Sequence, residues 1–230
     1  MKRTALLPLL FAAACAAPAG RMPAADSPAG GAAVMPATQS GQFVLLQNAA
    51  PIATERFTRS ADRLEAELVI PTQIRVSYTA DLTADATVRR IELQASPPDA
   101  PVGGAAAQRS SATFQGDSVF LEQTEGEAVE TARRQVRPGT IPYINPSPSL
   151  MEQIVRRARQ IGGERVEVPV FLGGEGAQTG AVSVTFMGAD SARLVLGDVQ
   201  VHLHIDASGT LLGGRVPAQN VTIERGAAQP

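Results

Sequence analysis

The stretch Arg63-Leu-Glu-Ala-Glu-Leu-Val-Ile70 alternates apolar and charged residues, and this alternation decides the fold class. In an extended chain, successive side chains point to opposite faces. Leu64, Ala66 and Leu68 therefore share one face, and the charged residues between them share the other. Such a pattern predicts a β-strand that is buried on one side and solvated on the other. Half-buried strands of this kind are typical of antiparallel sheets.

The same period of two recurs along most of the chain. It is found in residues 73–80, 166–170 and 182–186, and turn-forming pairs such as Gly116-Asp117 separate the alternating runs. We expect on the order of ten or more short strands. The pattern predicts a mainly β domain over residues 42–226. Its single antiparallel sheet should be strongly curved or form a half-open barrel.

One segment has the period of a helix instead. Ser149 and Glu152 have the spacing of a capping box, in which each side chain bonds the other residue's backbone N–H. Gly162 is the expected end, because glycine tolerates the conformation that follows a last helical turn. The apolar face of the segment contains Leu150, Met151, Ile154, Val155, Ala158 and Ile161. We expect this amphipathic helix to lie against the open side of the sheet.

Composition limits the partners of the protein. The chain has 230 residues and a formal net charge of −2, so it has no basic surplus with which to neutralise phosphates. We therefore predict no nucleic-acid partner. Aromatic residues make up only 4% of the chain and Trp is absent, so the core must be built mainly from Val, Leu, Ile and Ala.

The first residues have the parts of an export signal. Lys2 and Arg3 precede an apolar run that is too short to span a bilayer, and small residues follow. We predict a signal peptide over residues 1–14. Cys15, the only cysteine, follows three alanines, and this arrangement resembles the lipobox of bacterial lipoproteins. The resemblance implies that Cys15 becomes the first mature residue and carries lipid, although Ala12 stands where that family prefers Leu.

The lipobox resemblance also implies a location. Acyl chains on Cys15 would attach the protein to a membrane, since each buried methylene contributes about 0.8 kcal/mol. Ala16 follows the cysteine, which in the sorting pattern of enterobacterial lipoproteins implies the outer membrane, facing the periplasm. The alternative is an ordinary signal peptide and a soluble periplasmic or secreted protein. Residues 15–41 are rich in Ala, Pro and Gly and predict a flexible tether, and residues 227–230 predict a disordered tail.

Both histidines lie in one alternating stretch, Asp198-Val-Gln-Val-His-Leu-His-Ile-Asp206. On a strand, His202 and His204 project from the same face, and such a pair can bind Zn²⁺ when carboxylates complete the ligand set. A strand that buries Val199 and the other apolar residues, and turns its histidines to solvent, explains the same pattern. We predict the solvated strand and no bound metal. His202 and His204 stay as candidates only if a carboxylate stands opposite them.

A Pro-rich connection over residues 135–149 carries three large apolar side chains, Ile141, Tyr143 and Ile144. Long connections of this kind often act as lids or binding edges. These three residues are therefore candidate ligand contacts. The alternative is a connection that crosses the sheet and fixes the helix, and the sequence leaves both interpretations open.

The chain contains no constellation that predicts catalysis. Gly116-Asp117-Ser118 is similar to the nucleophile block of GDSL hydrolases, but Val119 continues as a strand and no Asp precedes either histidine by three residues. We interpret this block as a hairpin turn and predict no catalytic residue and no cofactor.

In outline, a curved sheet with one helix is similar to the periplasmic lipoprotein-carrier and lipid-binding lipoproteins, a similarity that transfers no residues. The expected function is that of a cell-envelope lipoprotein, attached to a membrane through its lipid anchor, that binds an apolar ligand or a protein partner without catalysis. The alternatives are a structural or interaction module of the envelope and, third, a metal-dependent protein that uses His202 and His204.

Overall fold

The computed structural model describes residues 38–101, 107–173 and 178–226. The predicted signal peptide, Cys15, nearly all of the predicted tether and the predicted tail lie outside the described residues. Before the helix α1 (Pro148–Ile161), the strands are β1 (Gln39–Gln47), β2 (Ala50–Arg59), β3 (Arg63–Ile70), β4 (Ile74–Leu82), β5 (Val88–Ser96), β6 (Gln108–Gln115), β7 (Ser118–Glu125), β8 (Ala128–Gln135) and β9 (Ile141–Tyr143). After the helix, they are β10 (Arg165–Leu172), β11 (Gln178–Phe186), β12 (Ser191–Leu196), β13 (Val199–Ile205), β14 (Leu211–Val216) and β15 (Val221–Gly226), with a 3₁₀ turn at Pro217–Gln219.

All of these strands belong to one sheet, in the order β8-β7-β6-β5-β4-β3-β2-β1-β15-β14-β13-β12-β11-β10-β9. The pairing of β1 with β15 joins the two halves of the chain. Neighbouring strands are antiparallel except at one end, where β9 runs parallel to β10. β8 and β9 follow each other in the chain but form the two edges, so the sheet is not closed. The predicted mainly β, half-open barrel with one helix is confirmed, with a mixed rather than purely antiparallel sheet.

The alternation seen in the sequence builds the core directly. Leu64, Ala66 and Leu68 of β3 are buried, and the same alternation of buried and exposed positions is found in β1 and β4. The first described strand begins at Gln39, three residues before the predicted start of the domain. It does so because β2 extends to Arg59 and provides a ladder partner for Gln39.

The helix begins at a different residue from the predicted one. Its N-cap is Ser147, whose hydroxyl accepts the Leu150 N–H at 3.2 Å, and Pro148 fills the first turn, where its missing N–H costs nothing. The predicted capping box of Ser149 and Glu152 is therefore wrong. Gly162 ends the helix as predicted.

The helix packs against β2, β9, β10, β11 and β14. Five of the six predicted apolar positions are buried, but Ile161 is 47% exposed because it is the last helical residue and extends beyond the core. Among the described residues, no helix has the length and apolarity needed to cross a bilayer.

A buried glutamate attaches the helix to both halves of the sheet. The completely buried carboxylate of Glu152 lies 3.1 Å from Arg59 of β2, 3.0 Å from Arg156 of the helix and 3.1 Å from Arg225 of β15. It also accepts the Leu211 N–H at 3.0 Å. Three guanidinium groups and a backbone donor together offset the cost of removing this charge from water.

We expect Glu152→Gln to lower the free energy of unfolding by about 3–5 kcal/mol, because it leaves the buried Arg59 guanidinium without its compensating charge. Urea unfolding followed by circular dichroism measures the change. The matched control is Glu65→Gln, which removes an ion pair with Arg63 whose side chains are both 52% exposed. The control should cost less than about 1 kcal/mol. Equal losses in the two variants would contradict this role for Glu152.

Candidate ligand-binding cavity

A cavity of about 800 Å³ lies between the inner face of β5–β8 and the strands β9 and β10. Its volume is within the range of about 300–1,000 Å³ that is usual for small-molecule sites. The helix does not fill this part of the interior, because it packs against the other half of the sheet and against β2. The cavity is therefore a product of the half-open sheet.

The wall made by β5–β8 is graded from apolar to polar along the strand direction. In the cross-strand register, the apolar row contains Ile91, Ala112, Leu121 and Ala132. The next row contains Leu93, Ser110, Gln123 and Glu130, and the third contains Ala95, Gln108 and Glu125. Successive rows are about 7 Å apart, since side chains on one face repeat every second residue. A ligand in this cavity would meet hydrocarbon along the apolar row and amides and carboxylates beyond it on one side. On the other side of the apolar row, the cavity is lined by Arg134.

The opposite wall is apolar and includes part of the Pro-rich connection. Tyr143 and Ile144 line the cavity together with Phe171 of β10. The rings of Phe171 and of Phe114 in β6 form a T-shaped contact, with 6.1 Å between ring centroids. This contact joins the two walls across the interior, where no backbone pairing does so.

The three candidate residues of the connection differ in their surroundings. Ile141 and Tyr143 belong to β9 and are buried, while Ile144 is partly buried against the core. Ile141 is completely buried and is absent from the cavity lining, whereas Tyr143 and Ile144 reach it. The connection docks on the sheet through β9 and borders the cavity through Tyr143 and Ile144, and a ligand contact at these residues stays a prediction.

The histidine strand is β13. Val201, Leu203 and Ile205 are buried, His202 is partly exposed and His204 is exposed. Val199 was predicted to be buried but is 39% exposed, because it is the first residue after the turn that joins β12 to β13.

The structure identifies the groups opposite the two imidazoles. His202 lies between Arg193 of β12 and Arg215 of β14, and His204 lies between Ser191 and Gly213. Two guanidinium groups beside His202 would repel a metal cation. Within the described ranges, no three His, Cys, Asp or Glu side chains come close enough together to hold a metal ion. The carboxylate that a site at His202 and His204 would require is not opposite them.

A second polar cluster, which sequence reasoning missed, lies in the core at the start of the helix. One carboxylate oxygen of Glu55 accepts hydrogen bonds from Tyr78 Oη at 2.8 Å and Ser147 Oγ at 2.6 Å. The other oxygen accepts the Ser149 N–H at 2.8 Å. All four residues are buried, so the cluster is closed to a substrate. It fixes the chain that enters the helix.

The signal for this cluster was present in the sequence. Ala53, Glu55, Phe57 and Arg59 occupy alternate positions of β2 on its buried face, so two charged residues stand where the period of two requires apolar ones. Charged residues at core positions need built partners. Apart from Tyr78, which is 23 positions from Glu55, the partners come from residues 90 to 94 positions away in the chain, and the sequence could not identify them.

Comparison with known proteins relates the chain to others by fold alone. No protein-family model matches it, and no curated protein matches it in sequence. A solved DUF1089-family protein from Pseudomonas aeruginosa superposes with a TM-score of 0.52 at 17% identity, over 73% of this chain and 90% of that one. A β-barrel-like protein of the domain of unknown function DUF1849 from Brucella abortus gives a TM-score of 0.47 at 10% identity, over 85% of this chain and 96% of that one. The first of these shows that the fold is shared with a solved protein.

Burial raises the pKa of the Glu55 carboxyl above its ordinary value of 4.5, and the hydrogen bonds from Ser147, Ser149 and Tyr78 oppose this shift only in part. Folded protein therefore holds this proton more tightly than unfolded protein. The stability that Glu55 contributes is fully present below pH 4.5 and is lost as the pH rises through the raised pKa.

We expect the free energy of unfolding of the wild type to decrease, relative to that of Glu55→Gln, as the pH rises above 4.5. The variant carries no ionisable group at this position, so the difference between the two proteins isolates Glu55. Urea unfolding at a series of pH values measures it. A difference that stays constant, or that changes in the opposite direction, would show that burial does not control this carboxyl.

Proposed function

We propose that the protein binds an amphipathic ligand in the cavity between β5–β8 and β9–β10, and that it does so without catalysis. The observation that carries the proposal is the graded wall. The apolar part of the ligand would lie against Ile91, Ala112 and Leu121, facing Phe171 on the opposite wall. Its polar part would reach Gln108, whose amide can both donate and accept hydrogen bonds.

The number of ligand methylene groups that can be buried against the apolar row gives the expected affinity. Burial of about eight methylene groups contributes about 6 kcal/mol, which corresponds to a dissociation constant on the order of tens of micromolar. The costs of ordering a flexible ligand weaken this value, and hydrogen bonds at the polar rows strengthen it. A titration should therefore extend into the high micromolar range.

We also propose that the protein is exported and attached to the bacterial envelope through lipid on Cys15, facing the periplasm from the outer membrane. The support is the order of the N-terminal sequence: Lys2 and Arg3, a short apolar run, three alanines and the only cysteine. A lipid anchor would place the cavity near a source of amphipathic molecules.

Leu121→Trp should weaken ligand binding by at least about tenfold, because Leu121 lies between Ala112 and Ala132 and a larger ring there would occupy the cavity. The probe is dansylcadaverine, whose fluorescence rises in an apolar site and whose ammonium group suits the carboxylates of Glu125 and Glu130. The matched control is Phe120→Trp, at the neighbouring position on the outer face, where Phe120 is 41% exposed.

The chain has no Trp of its own, so the residue introduced in each variant is the only Trp donor for energy transfer to dansyl when Trp is excited selectively. The control should bind as the wild type does. The proposal would be refuted if the wild type does not bind the probe, or if both variants bind it equally well.

Cys15→Ser should abolish the incorporation of labelled fatty acid into the protein and release it from the membrane fraction of a bacterial host, because it removes the sulfur that would carry the lipid. Metabolic labelling and membrane fractionation measure the two effects. Labelling that persists in the variant would show that the interpretation of Cys15 is wrong.

A further inference from the structure

Among the described strands, none pairs with the outer edge of β8, which is therefore open along its full length. This strand is the first in the sheet order. Seven of its eight residues are exposed and Ala132 is half-buried. Natural sheets usually cover or interrupt such an edge, because its unpaired N–H and C=O groups can add another strand.

The hydrogen bonds of β8 show which backbone groups are unpaired. The ladder with β7 continues into the bond from the Val136 N–H to the Asp117 carbonyl, at 2.8 Å. Because bonded residues alternate along an antiparallel strand, the even-numbered residues of β8 bond to β7. The odd-numbered ones, Val129, Thr131 and Arg133, turn their N–H and C=O groups toward the open edge.

A second copy of this chain fits that edge in a register set by symmetry. Two antiparallel copies of β8 related by a two-fold axis perpendicular to the sheet keep their inner faces on the same side. Such an axis must pass midway between the two copies of one residue, which then lies opposite itself; that residue is described below as on the axis. With Ala132 on the axis, the backbone of Thr131 hydrogen-bonds to that of the partner's Arg133, and the backbone of Val129 to that of the partner's Gln135. The unpaired N–H and C=O groups of the two edges therefore bond to each other.

The pairing of opposite charges favours the register with Ala132 on the axis over the register with Thr131 on the axis. With Ala132 on the axis, Glu130 lies opposite the partner's Arg134, and both side chains are on the inner face. With Thr131 on the axis, Glu130 would lie opposite the partner's Ala132 instead. Residues four apart on one strand are separated by about 13 Å, so Glu130 and Arg134 of a single copy cannot pair with each other.

Neither of these two charges has an ion-pair partner among the described residues. The guanidinium of Arg134 instead donates to the Arg133 carbonyl at 3.1 Å, and it thereby covers one acceptor of the open edge. Pairing with a second copy would replace this local contact by a backbone hydrogen bond and free Arg134 for Glu130. Arg133 itself is held on the outer face by Ser118 and lies over the Phe120 ring.

We propose that two copies of the protein associate through antiparallel pairing of β8, with Ala132 on the two-fold axis and two symmetric Glu130–Arg134 pairs. Glu130 and Arg134 also line the cavity, so the partner copy contributes charged side chains to its rim. The dimer does not depend on the proposed ligand, since the edge and its charges exist without one.

Charge reversal tests the pairing. Sedimentation velocity of the full chain over a concentration series, in reducing agent so that Cys15 cannot link copies, gives the dimer dissociation constant. Glu130→Arg and Arg134→Glu should each weaken the dimer by roughly tenfold or more, because each places like charges opposite each other twice. Glu130→Arg combined with Arg134→Glu should restore association to within about threefold of the wild type.

The matched control is Glu224→Arg, the same charge change at an exposed position of β15, which should leave association unchanged. Circular dichroism verifies that each variant is folded. A wild type that stays monomeric at every concentration, or single variants that associate as the wild type does, would overturn the proposal. Failure of the combined variant to recover would overturn the assigned register.

A disulfide tests the register directly. In a Cys15→Ser background, Ala132→Cys places two cysteines opposite each other on the axis, where the Cα atoms are about 4.5 Å apart, within disulfide range. Mild oxidation should give a covalent dimer. Thr131→Cys in the same background should give little, because the two cysteines are then offset. Efficient crosslinking of Thr131→Cys alone would indicate the other register, and none from either variant would refute the pairing.

Discussion

The fold depends on a charge that is buried where a hydrocarbon would be expected. The Glu152 carboxylate, on the inner side of the helix, is reached by arginines from β2 and β15 and by the backbone of β14. Because β2 belongs to the first half of the sheet and β14 and β15 to the second, one carboxylate connects both halves to the helix. Arg225 also lies over the rings of Phe43 and Phe57, so this ion cluster and the apolar core share side chains.

The position of the helix determines where the cavity is. The helix is held against β2 and the second half of the sheet, and Glu55, also on β2, fixes its first turn. The inner face of β5–β8 then faces β9 and β10 across an open space, and the contact between Phe114 and Phe171 spans it. The cavity and the open edge of β8 have the same origin, because both exist where the sheet fails to close onto β9.

Much of the architecture could be predicted because the period of two is a local property. Leu64, Ala66 and Leu68 are buried for the reason that their spacing indicates, and Val201, Leu203 and Ile205 follow the same rule. The wrong helix start has a physical cause. The spacing of Ser149 and Glu152 satisfies a local capping rule, but both side chains have stronger partners elsewhere: Tyr78 for Ser149, and three arginines for Glu152. Ser147 caps the helix instead, because its hydroxyl accepts the Leu150 N–H.

The sequence by itself determined the mainly β class, the single amphipathic helix and its end at Gly162, because alternation, helical periodicity and glycine conformation act over a few neighbouring residues. Only the tertiary structure decided which residues stand opposite one another. Arg193 and Arg215 flank His202, Glu55 joins Ser147 and Ser149, and β9 pairs with β10 rather than with β8. These contacts join distant parts of the chain, and they depend on how the whole sheet curves around the helix.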